Sequence, residues 1–315
     1  MMTGTSTRLR MIGALAAGLL LVGCTTSGTP VPEPSPTEDA APAAATCQTK
    51  PKDLRSYAPS RDGGPSTERI REAGVLRVGV SADTLRMGAR NPATNEIEGF
   101  DIDLAREIAD QLGVTMQLRV INAAQRIELL ANGEIDIVAR NFTINCSRWK
   151  DIAFSAEYYH SGQKVLLGSD SAPDYESQGV SALRGKRVCA PSGTTSLANI
   201  QAAEPEALAV PADSHTGCLV KFQQGEVDAI TGDDTVLAGL SAQDPYAEVP
   251  NQTAFTDEPY GIGVDKDNVD LVQFINAVLQ QYVASGQWQT SYDRWLRDVL
   301  GPPSAANPPI PAYGR

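Results

Sequence analysis

The chain has 315 residues, with 26 Lys or Arg against 38 Asp or Glu, so its formal net charge is −12. An acidic balance of that size argues against a nucleic-acid-binding protein, because such proteins need clustered cations. The length allows one large or two medium domains, and no stretch after the first 24 residues predicts a membrane span.

The N-terminus predicts a bacterial secretory signal. Arg8 and Arg10 precede an apolar run over 11–22, which suits a signal peptide and is too short for a permanent transmembrane helix. The small residue before Cys24 resembles the lipobox, which predicts that residues 1–23 are removed and that Cys24 is lipidated (palmitate). An ordinary signal peptide with an incidental cysteine is the alternative.

Two segments have little to bury. Residues 25–46 consist mainly of Pro, Ala, Ser, Thr and acidic residues, so we predict a mostly disordered tether over 24–69. The Pro-rich segment 301–315 is predicted to be a flexible tail.

Between these segments, strands and helices alternate twice. A Gly-Glu-apolar-Asp sequence joins a helix to a strand at both 132–137 and 224–229, which indicates two similar α/β lobes rather than one long sheet. The apolar periodicity predicts strands at 75–80, 114–121, 135–139, 185–190 and 227–231, and helices at 101–112, 124–131, 214–224, 271–285 and 288–300.

Four cysteines remain besides Cys24, an even number for an oxidising compartment. Three pairings are open. We favour Cys189–Cys218, because both residues fall in the second lobe, which leaves Cys47–Cys146. A zinc site is the rival, but the chain has no CxxC spacing and only two histidines, so we expect no metal site.

Several short sequences together resemble the extracytoplasmic solute-binding proteins of polar amino-acid ABC transporters (family 3). The similarity runs from about residue 76 to 300, and within the family it is closest to actinobacterial glutamate- or glutamine-binding lipoproteins. The sequences that carry it are Leu76-Arg-Val-Gly-Val80, Gly99-Phe-Asp-Ile-Asp-Leu-Ala105, Thr143-Ile-Asn145 with Arg148, Phe154-Ser155 with Tyr158-Tyr159, Gly185-Lys-Arg-Val188, Ser192-Gly-Thr-Thr195, Gly225-Glu-Val-Asp-Ala229, Asp233–Gly239 and Glu258-Pro-Tyr-Gly-Ile262.

The resemblance implies a two-lobe α/β fold of the periplasmic-binding-protein (Venus flytrap) type, with two crossover strands at the hinge. Lobe 1 is expected over 70–157 plus 260–300 and lobe 2 over 163–254. The crossovers are expected near 158–162 and 255–259, and ligand in the cleft would favour hinge closure. We expect a monomer.

A free amino acid needs opposite charges for its carboxylate and its ammonium when both are buried. The guanidinium of Arg148 can hold an α-carboxylate bidentately, with Thr143 sharing that role. Asp233 is at the position that holds the ligand ammonium in the family. The alternatives are a surface salt bridge for Arg148, an N-cap for Asp233, and a one-residue ambiguity with Asp234.

The turn over 192–196 precedes a helix, and the N–H groups near Thr194 and Thr195 are candidates for meeting an anion. A plain capping turn is the alternative.

The chain departs from the family pattern at two places. Where relatives have an aromatic residue after the first strand, this chain has Asp83-Thr-Leu-Arg86-Met87. Where relatives have small residues, it has Arg140 and Asn141. An extra arginine suggests a second anion on the ligand, so we favour glutamate or aspartate, then glutamine or asparagine. Arg86 and Asp83 are additional candidates, with salt bridges or solvation as the alternative for the arginines.

We therefore expect a lipid-anchored receptor on the extracytoplasmic face of the cell membrane, delivering a polar L-amino acid to an ABC permease. A receptor that presents its closed form to a membrane sensor is the first alternative. A dehydratase-like enzyme on the same fold is the second, but the sequence has no Gly-x-Ser-x-Gly, HExxH or Gly-x-Gly-x-x-Gly motif of a known enzyme class. No cofactor is expected.

Overall fold

The computed structural model describes residues 51–315, so the predictions for the signal peptide, Cys24 and Cys47 lie outside the described residues. Within 51–315, no helix is both long enough and apolar enough to cross a membrane. Helices alternate with strands through most of this part. The helices are α1 Pro65–Ala73, α2 Phe100–Leu112, α3 Arg126–Ala131, α4 Ala172–Gln178, α5 Thr195–Ala203, α6 His215–Gln223, α7 Asp234–Ser241, α8 Val269–Ala284, α9 Gln287–Trp295 and α10 Arg297–Leu300.

The strands form two main sheets and one small sheet. Their bounds are β1 Val75–Val80, β2 Asp83–Thr84, β3 Gly88–Arg90, β4 Ile97–Glu98, β5 Thr115–Val120, β6 Ile137–Val138, β7 Ile152–Phe154, β8 Tyr159–Gly168, β9 Arg187–Pro191, β10 Leu208–Ala212, β11 Ala229–Asp233, β12 Ala247–Glu248, β13 Thr256–Tyr260 and β14 Gly263–Asp265.

The first sheet has the order β5-β1-β6-β14-β7. Strand β1 pairs in parallel with β5 and β6, with Val78 opposite both Leu118 and Ile137. Strand β14 pairs antiparallel with β6 and β7. We call this sheet and the helices packed on it the first lobe. Its main core lies between the sheet, α2 and α8, where Ile102 and Ile275 are fully buried.

The second sheet has the order β10-β9-β11-β8-β12, with β13 also paired to β8. Strands β10, β9 and β11 are parallel, whereas β11, β12 and β13 run antiparallel to β8. Separate apolar clusters pack around Leu166 and Val165, which are neighbours on β8 and therefore face opposite sides of the sheet. We call this sheet and its helices the second lobe.

The chain passes between the sheets twice, which confirms a two-lobe α/β fold rather than one continuous sheet. It leaves the first sheet after β7 and enters the second at β8, then returns from β13 to β14. Strands β8 and β13 pair antiparallel, with Tyr159 opposite Tyr260. The residue limits given above for the lobes stay predictions.

The disulfide Cys189–Cys218 is confirmed. Both residues are fully buried in the core of the second lobe, one on β9 and one on α6. Cys146 is also disulfide-bonded. Its pairing with Cys47 stays a prediction, because Cys47 lies outside the described residues.

The last residues of the predicted tether, 24–69, are helical. Helix α1 starts at Pro65, and the carboxylate of Asp270 accepts hydrogen bonds from the backbone N–H groups of Ser66 and Thr67. An acidic residue distant in sequence thus accepts hydrogen bonds from N–H groups of the first turn, which have no partner within this polar helix. Composition alone does not reveal such a long-range partner.

The segment 301–315, which its prolines predict to be a flexible tail, makes hydrogen bonds to the body of the protein. The side chain of Asn307 accepts from the backbone N–H of His160 and donates to the carbonyl of the same residue. Farther along, the guanidinium of Arg315 lies 3.6 Å from the ring centroid of Trp149. Polar and cationic side chains between the prolines therefore supply specific contacts, which the Pro-rich composition conceals.

Candidate functional site

The candidate site lies where strand ends of the two lobes meet. Asp83 follows β1 and the segment 140–143 follows β6 in the first lobe, whereas the turn 192–195 follows β9 in the second lobe and Asp233 ends β11. These are the carboxyl ends of parallel strands, where open α/β sheets bind ligands.

The two lobes are in contact across this cleft. A guanidinium N–H of Arg126 donates to the Gly193 carbonyl at 3.0 Å, and the Thr216 hydroxyl donates to the Asp83 carbonyl at 3.1 Å. A Cβ atom added to Gly193 would lie 2.7 Å from the Cα atom of Ala124. The structure is therefore a closed form, in which the backbones of the two lobes approach each other closely.

The loop after β6 is held in a strained conformation. Asn141 has a φ of +33°, and its backbone N–H donates to Oδ2 of Asp101 at 2.8 Å. The Tyr158 hydroxyl donates to the other oxygen of Asp101 at 2.6 Å. Burial raises the pKa of Asp101 to about 6, against these hydrogen bonds and the charge of Arg140. Oδ1 of Asn141 is buried without a hydrogen-bond partner among residues 51–315.

Arg148 is buried, so the alternative of a surface salt bridge does not describe it. Its guanidinium donates to the Thr143 carbonyl at 2.6 Å and the Gly193 carbonyl at 3.4 Å, and its Cζ atom lies 4.7 Å from the ring centroid of Phe142. Burial lowers the pKa of Arg148 to about 10, while the charges of Glu258 and Asp233 oppose that shift.

A second buried arginine, Arg126, was not identified from the sequence. It donates only to backbone carbonyls, those of Ala123, Arg140 and Gly193. Its Cζ atom lies 4.1 Å from the centroid of the same Phe142 ring. Burial lowers its pKa well below the usual value, and the neighbouring guanidinium charges add to that effect. In the described chain, neither Arg126 nor Arg148 forms a salt bridge with a carboxylate.

Arg126 lies in the first turn of the predicted helix 124–131 and is the first residue of α3. The helix dipole makes that position unfavourable for a cation. A buried cation at a helix N-terminus therefore needs another explanation, such as an anionic partner.

Arg140 is buried too, and its Nε–H donates to the Ile121 carbonyl at 3.0 Å. Burial lowers the pKa of Arg140, but the charges of Asp83 and Asp101 oppose this shift. The charge of Arg140 is thus partly compensated within the protein by Asp83 and Asp101.

Asp83 lies beside Arg140 and accepts a hydrogen bond from the Ser81 hydroxyl at 2.8 Å. Burial acts to raise the pKa of Asp83, but hydrogen bonds from Ser214, Ser81 and Thr216 and the charge of Arg140 lower it on balance.

Arg86 makes its contact with the C-terminal helices of the first lobe. It has a φ of +75° in the turn between β2 and β3, and its guanidinium donates to the Trp295 carbonyl at 3.0 Å. The structure therefore does not bring Arg86 together with the other candidate residues.

Asp233 occupies the N-cap position of α7, but its side chain makes no capping hydrogen bond. Oδ2 accepts from the Tyr260 hydroxyl at 2.7 Å, whereas Oδ1 is buried without a hydrogen-bond partner in the described chain. Burial raises the pKa of Asp233 to about 8, with a further contribution from the charge of Glu258. Asp234 is committed elsewhere, because its Oδ1 accepts from the Ser161 hydroxyl and the Thr235 N–H.

The threonines of the candidate set have different roles. Thr194 is the N-cap of α5, where its hydroxyl accepts from the Leu197 N–H, as in a plain capping turn. The hydroxyl oxygens of Thr143 and Thr195 lie 3.4 Å apart across the cleft. Both also lie 2.7 Å from Oε2 of Glu258, a buried residue that was not identified from the sequence.

These groups suit recognition of a small ligand that carries both charges. Guanidinium groups without a carboxylate partner can meet an anion, and Oδ1 of Asp233 can accept from a cation. His215 is half-buried, and desolvation lowers its pKa to about 4, so its imidazole is neutral. No group of three or more His, Cys, Asp and Glu residues in 51–315 is arranged to hold a metal ion.

A surface depression of about 630 Å³ lies at the other end of β8, near Gly168, Phe222 and Tyr246. Its lining contains Asp170 and Asp244 but no Lys or Arg. It therefore lacks the cation that a buried carboxylate needs.

Comparisons with known proteins agree with this geometry. The chain is 34% identical over 233 residues to the ABC transporter glutamine-binding protein GlnH of Bacillus subtilis (strain 168), covering 73% of this chain and 84% of that protein. It is 33% identical over 252 residues to the glutamate-binding protein GluB of Corynebacterium glutamicum, covering 76% and 83%. The structure of holo ArgBP from T. maritima matches with a TM-score of 0.65 and 30% identity, covering 72% of this chain and 98% of that one.

The family of bacterial extracellular solute-binding proteins, family 3, matches residues 76–298, which span most of both lobes. With a two-lobe fold, a charged cleft between the lobes and transport binding proteins as relatives, the chain belongs to this family of amino-acid-binding proteins of ABC transporters.

Proposed function

We propose that this protein binds glutamate or aspartate, and next glutamine or asparagine, between its lobes and delivers the amino acid to an ABC permease. The observation that carries the proposal is the unpartnered, buried Oδ1 of Asp233 in a cleft that also buries Arg126 and Arg148 without a carboxylate partner. An α-amino acid supplies the two missing charges in one molecule.

The ligand's α-carboxylate is assigned to Arg148, with the segment around Thr143 beside it. Its ammonium is assigned to Asp233, whose other oxygen is already fixed by Tyr260. Oδ1 of Asn141 is a second buried acceptor that would suit the same ammonium.

A ligand side-chain carboxylate would be met by Arg126 and Arg140. Arg140 faces the charges of Asp83 and Asp101, but Arg126 donates to carbonyls alone. The cleft thus retains more positive charge than an α-carboxylate alone neutralises. Relatives named for glutamate and for glutamine support this ligand class.

The remaining parts of the proposal rest on the sequence and the relatives. Lipidation of Cys24 would hold the protein, as a monomer, on the extracytoplasmic face of the cell membrane. The relatives named as transport binding proteins favour a permease over a sensor as the partner, and favour binding over turnover by a dehydratase. Incubation with candidate ligands followed by analysis for products tests the last point.

Calorimetric titration with the twenty amino acids tests the ligand assignment. Arg148→Ala should abolish binding of every ligand, because loss of one partner of a buried charge pair costs about 3–5 kcal/mol.

Arg140→Ala should weaken the binding of glutamate and aspartate selectively. Arg119→Ala, an exposed arginine of the first lobe, is the control and should bind like wild type. Equal losses for glutamate and glutamine in Arg140→Ala would refute the side-chain assignment, and tight binding of a sugar would refute the whole proposal.

Closure of the lobes can be tested at Gly193. Gly193→Ala should weaken amino-acid binding at least tenfold (~1.4 kcal/mol), because the added Cβ would clash with the backbone of Ala124 in the closed form. Gly185→Ala is the matched control, since Gly185 has a similar φ of +69° but no atom within 4 Å of the added Cβ. If the two variants lose the same affinity, backbone strain rather than closure explains the effect.

Binding should release a proton near neutral pH. In the closed cleft without ligand, burial raises the pKa of Asp233 to about 8, which favours its neutral form at pH 7, whereas an ammonium ligand favours the carboxylate. Affinity for glutamate should therefore fall as the pH decreases from 8 to 6. Titrations at pH 7 in buffers with different ionisation enthalpies should show net proton release on binding, and release of none would contradict the proposed role of Asp233.

A further inference from the structure

Glu258 is a buried carboxylate on the crossing strand β13, with an exposure of only 1%. Its Oε2 accepts hydrogen bonds of 2.7 Å from the hydroxyls of Thr143, in the first lobe, and Thr195, in the second. Its Oε1 accepts hydrogen bonds of 2.8 Å from the Asn199 amide and the Thr256 hydroxyl. One carboxylate oxygen thus joins the two lobes at the edge of the candidate site.

These hydrogen bonds fix the direction of both hydroxyls. A threonine hydroxyl has one proton, and an ionised carboxylate can only accept. While Thr143 and Thr195 donate to Glu258, their oxygens can act toward any other group only as acceptors. A ligand carboxylate must then find its donors elsewhere, on Arg148 and on the backbone N–H groups that begin α5, which have no acceptor within the helix.

The four hydrogen bonds of Glu258 come from three parts of the chain. Asn199 and Thr195 are in α5 of the second lobe, and Thr256 is on the same crossing strand as Glu258. Thr143 is the first-lobe partner, and it also pairs with Tyr260 through an isolated β-bridge beside the hinge. The hydrogen bond from Thr143 therefore connects the position of the first lobe to a carboxylate that the second lobe already holds.

Building on the proposed function, we propose that Glu258 is a positioning residue of the binding site. It joins Thr143 to Thr195 in the closed form and keeps both hydroxyl protons away from the ligand. Amino-acid affinity then depends on Glu258, although Glu258 does not contact the ligand, and Thr143 acts on the ligand through Glu258 rather than directly.

A double-mutant cycle on the Kd for glutamate tests this role, with Glu258→Gln and Thr143→Val made singly and together. Each single variant should weaken binding about tenfold, the usual effect of one buried hydrogen bond. The double variant should bind glutamate as tightly as the single variant with the lower affinity, because both changes remove the same interaction. If the fold-losses in affinity of the two single variants multiply in the double variant, Thr143 contacts the ligand independently of Glu258 and the proposal is wrong. Wild-type affinity of Glu258→Gln would also overturn the proposal.

Two further variants separate positioning from general support of the fold. Thr143→Ser keeps the hydroxyl and should restore most of the affinity that Thr143→Val loses. Thr256→Val removes a hydroxyl from the other oxygen of the same carboxylate and should change the Kd by less than about threefold, because that bond lies within one strand. A loss in Thr256→Val equal to that in Thr143→Val would overturn the cross-lobe role. If Glu258→Gln does not fold, Thr195→Val takes its place in the cycle. The losses in affinity of Thr195→Val and Thr143→Val should again not multiply in the double variant.

Wild-type binding separates this proposal from the proposed function. If wild type binds none of the twenty amino acids, the proposed function fails and the positioning role fails with it. If wild type binds glutamate but the variants act independently, only the role of Glu258 is refuted. A cycle that shows coupling in the free energy of unfolding but no change in Kd would mean that Glu258 serves the fold alone.

Discussion

Buried charge without a partner is the constraint on which the cleft depends. Arg126 and Arg148 are buried and donate only to carbonyl groups, while one oxygen of Asp233 accepts no hydrogen bond within residues 51–315. Each such group costs free energy in the closed form. A ligand that carries both charges removes these costs together, so ligand binding and closure favour each other.

The rest of the structure places these charges close to one another without letting them pair. Phe142 lies beneath both guanidinium groups, and Asp101 holds the strained loop that contains it. Gly193 brings its carbonyl to both arginines because its missing side chain permits contact with the opposite lobe. One of the two crossing strands, β13, also carries Tyr260, which orients Asp233.

Local patterns predicted much of the fold. The strand Val75–Val80 has the predicted bounds, and helix α2 ends at Leu112 as predicted, followed by Gly113 with a positive φ. Both signals depend on neighbouring residues only. The attached tail is different, because Asn307 meets His160 from 147 residues away, and spacing along the chain does not predict that contact.

The site was predictable mainly through the family resemblance, which indicated Asp233 as the partner of the ligand ammonium. Its ambiguity with Asp234 was removed only by the hydrogen bonds of each carboxylate. Arg126 was missed because an arginine at a helix start is ordinarily solvated. Glu258 was quoted as part of a motif, yet its four hydrogen bonds come from residues of three different segments.

A crystal structure of the protein with glutamate tests the central claim most directly, because it shows which charge meets which group. We expect the ligand ammonium nitrogen about 3 Å from Oδ1 of Asp233 and the α-carboxylate on the guanidinium of Arg148. A ligand bound in the reverse orientation, or outside the cleft with Oδ1 of Asp233 still unpartnered, would contradict the account.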